Sequence, residues 1–88
     1  MRIDMETAQN QLHSFRISTE RLREARYAYH RELEKLCEKT GIYDQDLLKK
    51  LEVALRACET LEEAGLEFSG EIERVLEESR RLIPPQAP

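Results

Sequence analysis

Cysteine and histidine have the widest range of chemistry among side chains, and the chain has two of each. Helical rise places Cys37 and Cys58 about 15 Å apart on two adjacent predicted helices. A disulfide needs Cα atoms less than about 7 Å apart, so none is predicted. Both thiols are interpreted as small buried hydrophobes in a reducing compartment.

His30, Glu34 and Glu38 recur at the four-residue spacing of one helix face, which could bind a metal ion weakly. A second imidazole is lacking, because His13 lies about five helical turns away. The row is therefore interpreted as a solvated face. No Glu-Xaa-Xaa-His pair of the di-iron type is present, and no metal or other cofactor is predicted.

Nucleophilic catalysis needs a serine or cysteine beside a base and an oriented acceptor. The serines and cysteines of this chain fall on predicted helices or at their caps. Only three glycines are present, two of them at predicted helix ends, which argues against a phosphate-binding loop. The sequence predicts that the protein is not an enzyme and has no catalytic residues.

Charge and hydropathy exclude two further partner classes. Residues 55–75 could form a helix-turn-helix, but the second helix begins with acidic side chains and the net charge is −4, so nucleic acid is not an expected partner. No apolar run approaches the ~20 residues that span a bilayer, and the N-terminus lacks the apolar segment of a signal peptide. We expect a cytoplasmic protein, with leaderless export left open.

The elements that carry these residues are predicted to be helices, since 36% of the chain is charged and only 6% is aromatic. A first helix over residues 5–40 follows a heptad pattern between a cap at Asp4 and a stop at Gly41. Its seam positions are Met5, Leu12, Thr19, Arg26 and Leu33 in one column, and Ala8, Phe15, Leu22, Tyr29 and Leu36 in the other.

A second helix is predicted over residues 45–64, capped by Asp44 and stopped at Gly65. Its apolar stripe is broad enough to contact two neighbours. A third helix over 70–83 would begin after Ser69 and end at Pro84, followed by a flexible tail over 84–88. The expected fold is all-α, a single domain over 1–83 that forms a long antiparallel helical hairpin plus a short third helix.

Helix lengths predict an uncovered surface. The first helix would be about 54 Å long and the second about 30 Å, so the N-terminal half of the first would need cover from the third helix or from another molecule. We favour a third helix that runs on past the second and leaves part of this surface exposed. We expect this surface to pair with a second copy, giving a dimeric helical bundle, or with a helical protein partner. The predicted interface residues are Leu12, Phe15, Leu22, Arg26 and Tyr29.

Met1-Arg2-Ile3-Asp4, a long amphipathic helix, a break near residue 41 and a shorter return helix together resemble one known family. They are similar to the small helical-hairpin proteins of the Trp-Xaa-Gly family associated with type VII secretion, over about residues 1–63. The resemblance implies a four-helix dimer that acts as a secreted factor or as an escort for a larger cargo. Residues 40–43 lack the tryptophan, and the segment after residue 83 lacks the family's tyrosine-containing export signal. The residues themselves predict a scaffold, adaptor or oligomerisation module.

Overall fold

The computed structural model describes residues 4–82, which form two long antiparallel α-helices. Helix α1 spans Met5–Thr40 and helix α2 spans Gln45–Leu82. The hairpin is a rod with principal extents of 72 × 18 × 16 Å. The prediction of an all-α helical hairpin is confirmed.

The three predicted signals around the first helix and the turn are confirmed. Asp4 accepts hydrogen bonds from the Thr7 backbone N–H at 3.3 Å and from the Thr7 hydroxyl at 2.8 Å, which caps α1. Gly41 has φ 68° and donates its N–H to the Cys37 carbonyl at 2.8 Å. This left-handed conformation ends α1, because a glycine adopts it without a Cβ clash. Asp44 Oδ1 accepts from the Leu47 N–H at 3.2 Å and so begins α2.

The predicted stop at Gly65 and the separate third helix are wrong. Helix α2 continues through Gly65 and Gly70, and Ser69 is buried within it rather than capping a new helix. The physical reason is packing, since a Cβ on Gly65 would lie 3.2 Å from Thr19 Oγ1. Gly65 therefore lets α1 approach closely and does not turn the chain. The predicted tail, residues 84–88, and residue 83 lie outside the described residues.

Continuity of α2 also overturns the expected length mismatch. Helix α1 has 36 residues and α2 has 38, so the two rods are about 54 and 57 Å long. Neither helix outreaches the other. Any uncovered apolar surface must lie along the side of the hairpin.

The contact between the helices, called here the seam, follows a regular heptad on α2. Buried and half-buried residues recur at alternating steps of three and four. They are Leu48, Leu51, Leu55, Cys58, Glu62, Gly65, Ser69, Ile72, Leu76 and Ser79. The seam is apolar towards both ends and polar in the middle.

One hairpin has almost no core of its own. Within residues 4–82, Leu76 is the only hydrophobic residue classed as buried. The chain exposes 7752 Å² of surface, whereas a compact monomer of its mass would expose about 5,400 Å². The hairpin therefore leaves much apolar surface in contact with water.

The two helical glycines of α2 should respond differently to substitution. Gly70→Ala meets no atom within 4 Å and should stabilise the fold by about 0.5–1 kcal/mol through helix propensity. Gly65→Leu should destabilise it by about 1–3 kcal/mol, because the side chain would collide with Thr19 and Phe15. Urea unfolding at matched protein concentration measures both changes. Equal responses would show that Gly65 is not a close-packing position.

Candidate interaction surface

Two apolar columns run along one side of the hairpin, and together they are called the open face. Each column repeats every seven residues, which is close to two helical turns and keeps its members on one side. The α1 column comprises Ala8, Phe15, Leu22, Tyr29 and Leu36. The α2 column comprises Leu47, Ala54, Leu61, Phe68 and Val75.

Side-chain contacts place the two columns side by side. The rings of Phe15 and Phe68 meet edge to face, with centroids 6.3 Å apart and planes at 78°. Nearer the loop, Leu22 and Tyr29 of α1 line the same groove as Ala54 of α2. The open face thus presents two shallow grooves, one after the other along the hairpin.

The large side chains of the open face are not covered by the hairpin itself. Leu61 and Phe68 are each 60% exposed, and Tyr29 is 53% exposed. The neighbouring outer positions in the middle of the rod carry the small residues Ala25 and Ala64. Small flanking side chains permit another helix to approach closely.

The opposite side of the hairpin, called the back face, is mainly charged. Arg16 Nη2 donates to Glu73 at 2.5 Å across the two helices on this side. Glu52 and Glu59 belong to the same column of α2 as Glu73, at seven-residue spacing. Exposed Tyr27 and Leu66 interrupt this charged surface. The hairpin is therefore amphipathic as a whole, with its apolar columns concentrated on the open face.

An ionic cluster fixes the middle of the seam. Glu62 is only 2% exposed and accepts from Arg26 Nε at 2.5 Å, from Arg26 Nη2 at 3.3 Å and from Arg23 Nε at 3.4 Å. The hydrogen bond from Arg26 lowers the pKa of Glu62, while burial opposes that shift. The same hydrogen bond raises the pKa of Arg26 further. A charged pair at a seam position specifies which residues of the two helices face each other.

The structure separates the predicted interface residues into two groups. Phe15, Leu22 and Tyr29 lie on the open face. Leu12 and Arg26 also line these grooves, but Leu12 is half-buried at the seam and the guanidinium of Arg26 is bound to Glu62 within the hairpin. Arg26 is therefore an intramolecular contact.

The α2 column was missed as a unit by sequence reasoning. The predicted break at Gly65 assigned Phe68 to a loop and Val75 to another helix. The signal that could have found the column is its seven-residue spacing from Leu47 to Val75, which continues through Gly65 without a change of phase.

The two cysteines lie on different faces of the hairpin, and His30 lies on the same face as Cys37. Cys58 lines an open-face groove, whereas Cys37 lines a back-face groove together with His30 and Glu34. Both thiols are free and half-buried. His30 Nδ1 lies 3.5 Å from Glu34 Oε1, and residues 4–82 contain no group of three or more potential metal ligands.

Acid should weaken the hairpin partly through Glu62. A carboxylate whose pKa is lower in the folded state stabilises the fold above its unfolded pKa, and this contribution disappears as the pH falls through the folded pKa. We expect stability to decline below about pH 4.5, near the ordinary glutamate pKa. Glu62→Gln should flatten this part of the profile, whereas the exposed neighbour Glu63→Gln should leave it unchanged. Urea unfolding at several pH values measures the difference, and identical profiles for both variants would contradict the assignment.

In residues 4–82, neither helix has a stretch long and apolar enough to cross a bilayer. Comparison of the chain with protein-family models, with curated proteins and with solved structures finds no match.

Proposed function

We propose that the protein is a non-enzymatic interaction module whose open face packs against the helices of a protein partner. The observation that carries this proposal is the uncovered double column, in which Leu61 and Phe68 stay 60% exposed in an otherwise regular hairpin. Monomeric proteins rarely leave a large contiguous apolar patch in water. A helical surface of this shape fits a second helical layer better than a small ligand, because its two grooves are shallow and follow one another along the hairpin.

Energetics support a helical partner. Burial of a fully exposed large apolar side chain contributes about 1.5–3 kcal/mol, and the side chains of the open face contribute in proportion to the fraction that the hairpin leaves exposed. Phe15, Leu22, Tyr29, Leu61 and Phe68 supply five such side chains. Their combined burial is of the same order as the ~4–15 kcal/mol that association costs in lost freedom, before the partner's own apolar surface is counted. The open face therefore supplies part of the free energy of association, and the partner's own apolar surface adds to it.

Light scattering combined with an environment-sensitive apolar dye tests this proposal on the full chain. We expect either an assembly larger than the 10.4 kDa monomer, or a monomer that binds the dye strongly. Folded helical content is checked by circular dichroism in the same samples. A folded monomer that binds no dye would contradict the proposal.

The type VII resemblance supplies a second candidate, namely a secreted factor or an escort for a larger cargo. The observation that favours it is the hairpin layout, with two helices joined at residues 41–44. The return helix, with 38 residues, is not the shorter one on which the resemblance is based. To test this candidate, the protein is expressed in hosts with and without the ATPase of a type VII secretion system, and its amount in the culture medium is measured. Export that depends on the ATPase would support it, and equal amounts in both media would reject it.

A further inference from the structure

We propose that the occupant of the open face is a second copy of this chain, related by a two-fold axis that passes beside Ala64. In this dimer α2 lies antiparallel on α2 of the second copy, and the two loops point to opposite ends of a four-helix bundle. This inference rests on the proposed function, since it names the partner of the same surface. The inference rests on how large, small and charged side chains are arranged along α2.

Four residues of the α2 column can pair with each other when α2 is reversed about a point beside Ala64. A two-fold interface is isologous, so that each contact occurs twice with the roles of the copies exchanged. Reversal about the point between Ala64 and Gly65 places Leu61 opposite Phe68, and Ala54 opposite Val75. Leu61 and Phe68, each 60% exposed in the hairpin, thus lie at the centre of the interface.

Charges beside the α2 column favour the same orientation. The outer flanking positions, again at seven-residue spacing, are Lys50, Ala57, Ala64, Glu71 and Glu78. Reversal about Ala64 brings Lys50 beside Glu78 of the second copy at both ends of the interface. Glu78 also accepts from Arg74 at 2.6 Å within its own helix, which leaves its second oxygen for Lys50.

The alternative dimer, with both loops at one end, lacks this complementarity. It would lay α2 over α1 of the second copy and place Glu71 and Glu78 near the uncharged Ser18 and Gln11. Exposed ion pairs add little affinity but select orientation. The charge pattern therefore decides between two arrangements that bury similar apolar surface.

The available area suits a stable dimer. The open face is about 54 Å long, the length of α1, and the hairpin is 16–18 Å across. This gives a footprint of roughly 860–970 Å² for each copy, which is close to the ~800 Å² per partner of a standard specific interface.

Thiol cross-linking of the full chain tests the position of the axis. In a Cys37→Ala/Cys58→Ala background, Ala64→Cys places one thiol beside the axis, next to the same thiol of the second copy. Ala57→Cys is the matched control on the same flank, where the two thiols would be about 21 Å apart, or 14 residues of rise. A short bis-maleimide that spans about two helical turns should link the Ala64→Cys chains and leave the Ala57→Cys chains unlinked.

Each other outcome overturns the inference. Links at both positions would indicate parallel α2 helices, and links at neither position in a dimeric sample would indicate loops at one end. A monomer that still binds apolar dye would show that a second copy does not cover the open face. The proposed function would then stand without the inference. A monomer without dye binding would reject both. Circular dichroism and light scattering of each variant confirm that it is folded and give its mass.

Discussion

Phe68→Glu is expected to separate the assembly into monomers while the hairpin stays folded. Phe68 lies near the centre of the open face, where its ring meets Phe15 edge to face and stays 60% exposed in the hairpin. Two copies would lose about 2 kcal/mol of apolar burial each, and two carboxylates would be desolvated. A total of about 4 kcal/mol corresponds to a dissociation constant about 1,000-fold weaker. Sedimentation equilibrium measures this change.

Val53→Glu is the matched control for Phe68→Glu. Val53 is also an exposed apolar residue of α2, at 68%, but it lies on the outer side of the helix, away from both the seam and the open face. The control variant should keep the wild-type mass. Equal dissociation by both variants, or by neither, would show that the open face is not the contact surface.

Arg26→Met is expected to cause the largest loss of hairpin stability among substitutions of charged residues. It would leave the carboxylate of Glu62, 2% exposed, with a single hydrogen bond from Arg23 at 3.4 Å. A buried carboxylate without its main partner is strongly destabilising. Because Arg26 is the largest cause of the lowered Glu62 pKa, that pKa should rise in the variant. Urea unfolding should therefore show lower stability at neutral pH and a smaller further loss in acid.

Two further variants test whether the loss of stability arises from the buried pair of Arg26 and Glu62. Arg31→Met, an exposed arginine of the same helix, should change stability little. The double variant Arg26→Met/Glu62→Met should regain much of the lost stability, since apolar side chains can replace a buried ion pair. If Arg26→Met behaved like Arg31→Met, the ionic cluster would not hold the seam.

Local signals at helix ends could be predicted from sequence because each depends on a few neighbouring residues. Asp4, Gly41 and Asp44 act through hydrogen bonds or backbone angles that their own side chains determine. Gly65 resembled Gly41 in its local context but behaves differently. Its conformation depends on Thr19, which is distant in sequence and close in space. A single sequence does not reveal such a contact directly.

The interface residues on α1 remain a prediction, and the reason given for them depended on the length of α2. Phe15, Leu22 and Tyr29 lie on an uncovered face, as their heptad spacing indicates. The expected cause, an overhanging end of α1, is wrong, because the uncovered surface runs along the rod. Arg26 has the residue type of an interface anchor, but only the three-dimensional structure shows that Glu62 already binds it.

The central claim, that assembly covers the open face, is tested most directly by the alkylation rates of the two natural cysteines. Cys58 lines an open-face groove and Cys37 lines the back-face groove, so each thiol reports on one side of the hairpin. As the protein concentration is raised through the assembly range, the rate at Cys58 should fall while the rate at Cys37 stays constant. A constant rate at Cys58, or protection of Cys37 instead, would contradict the claim.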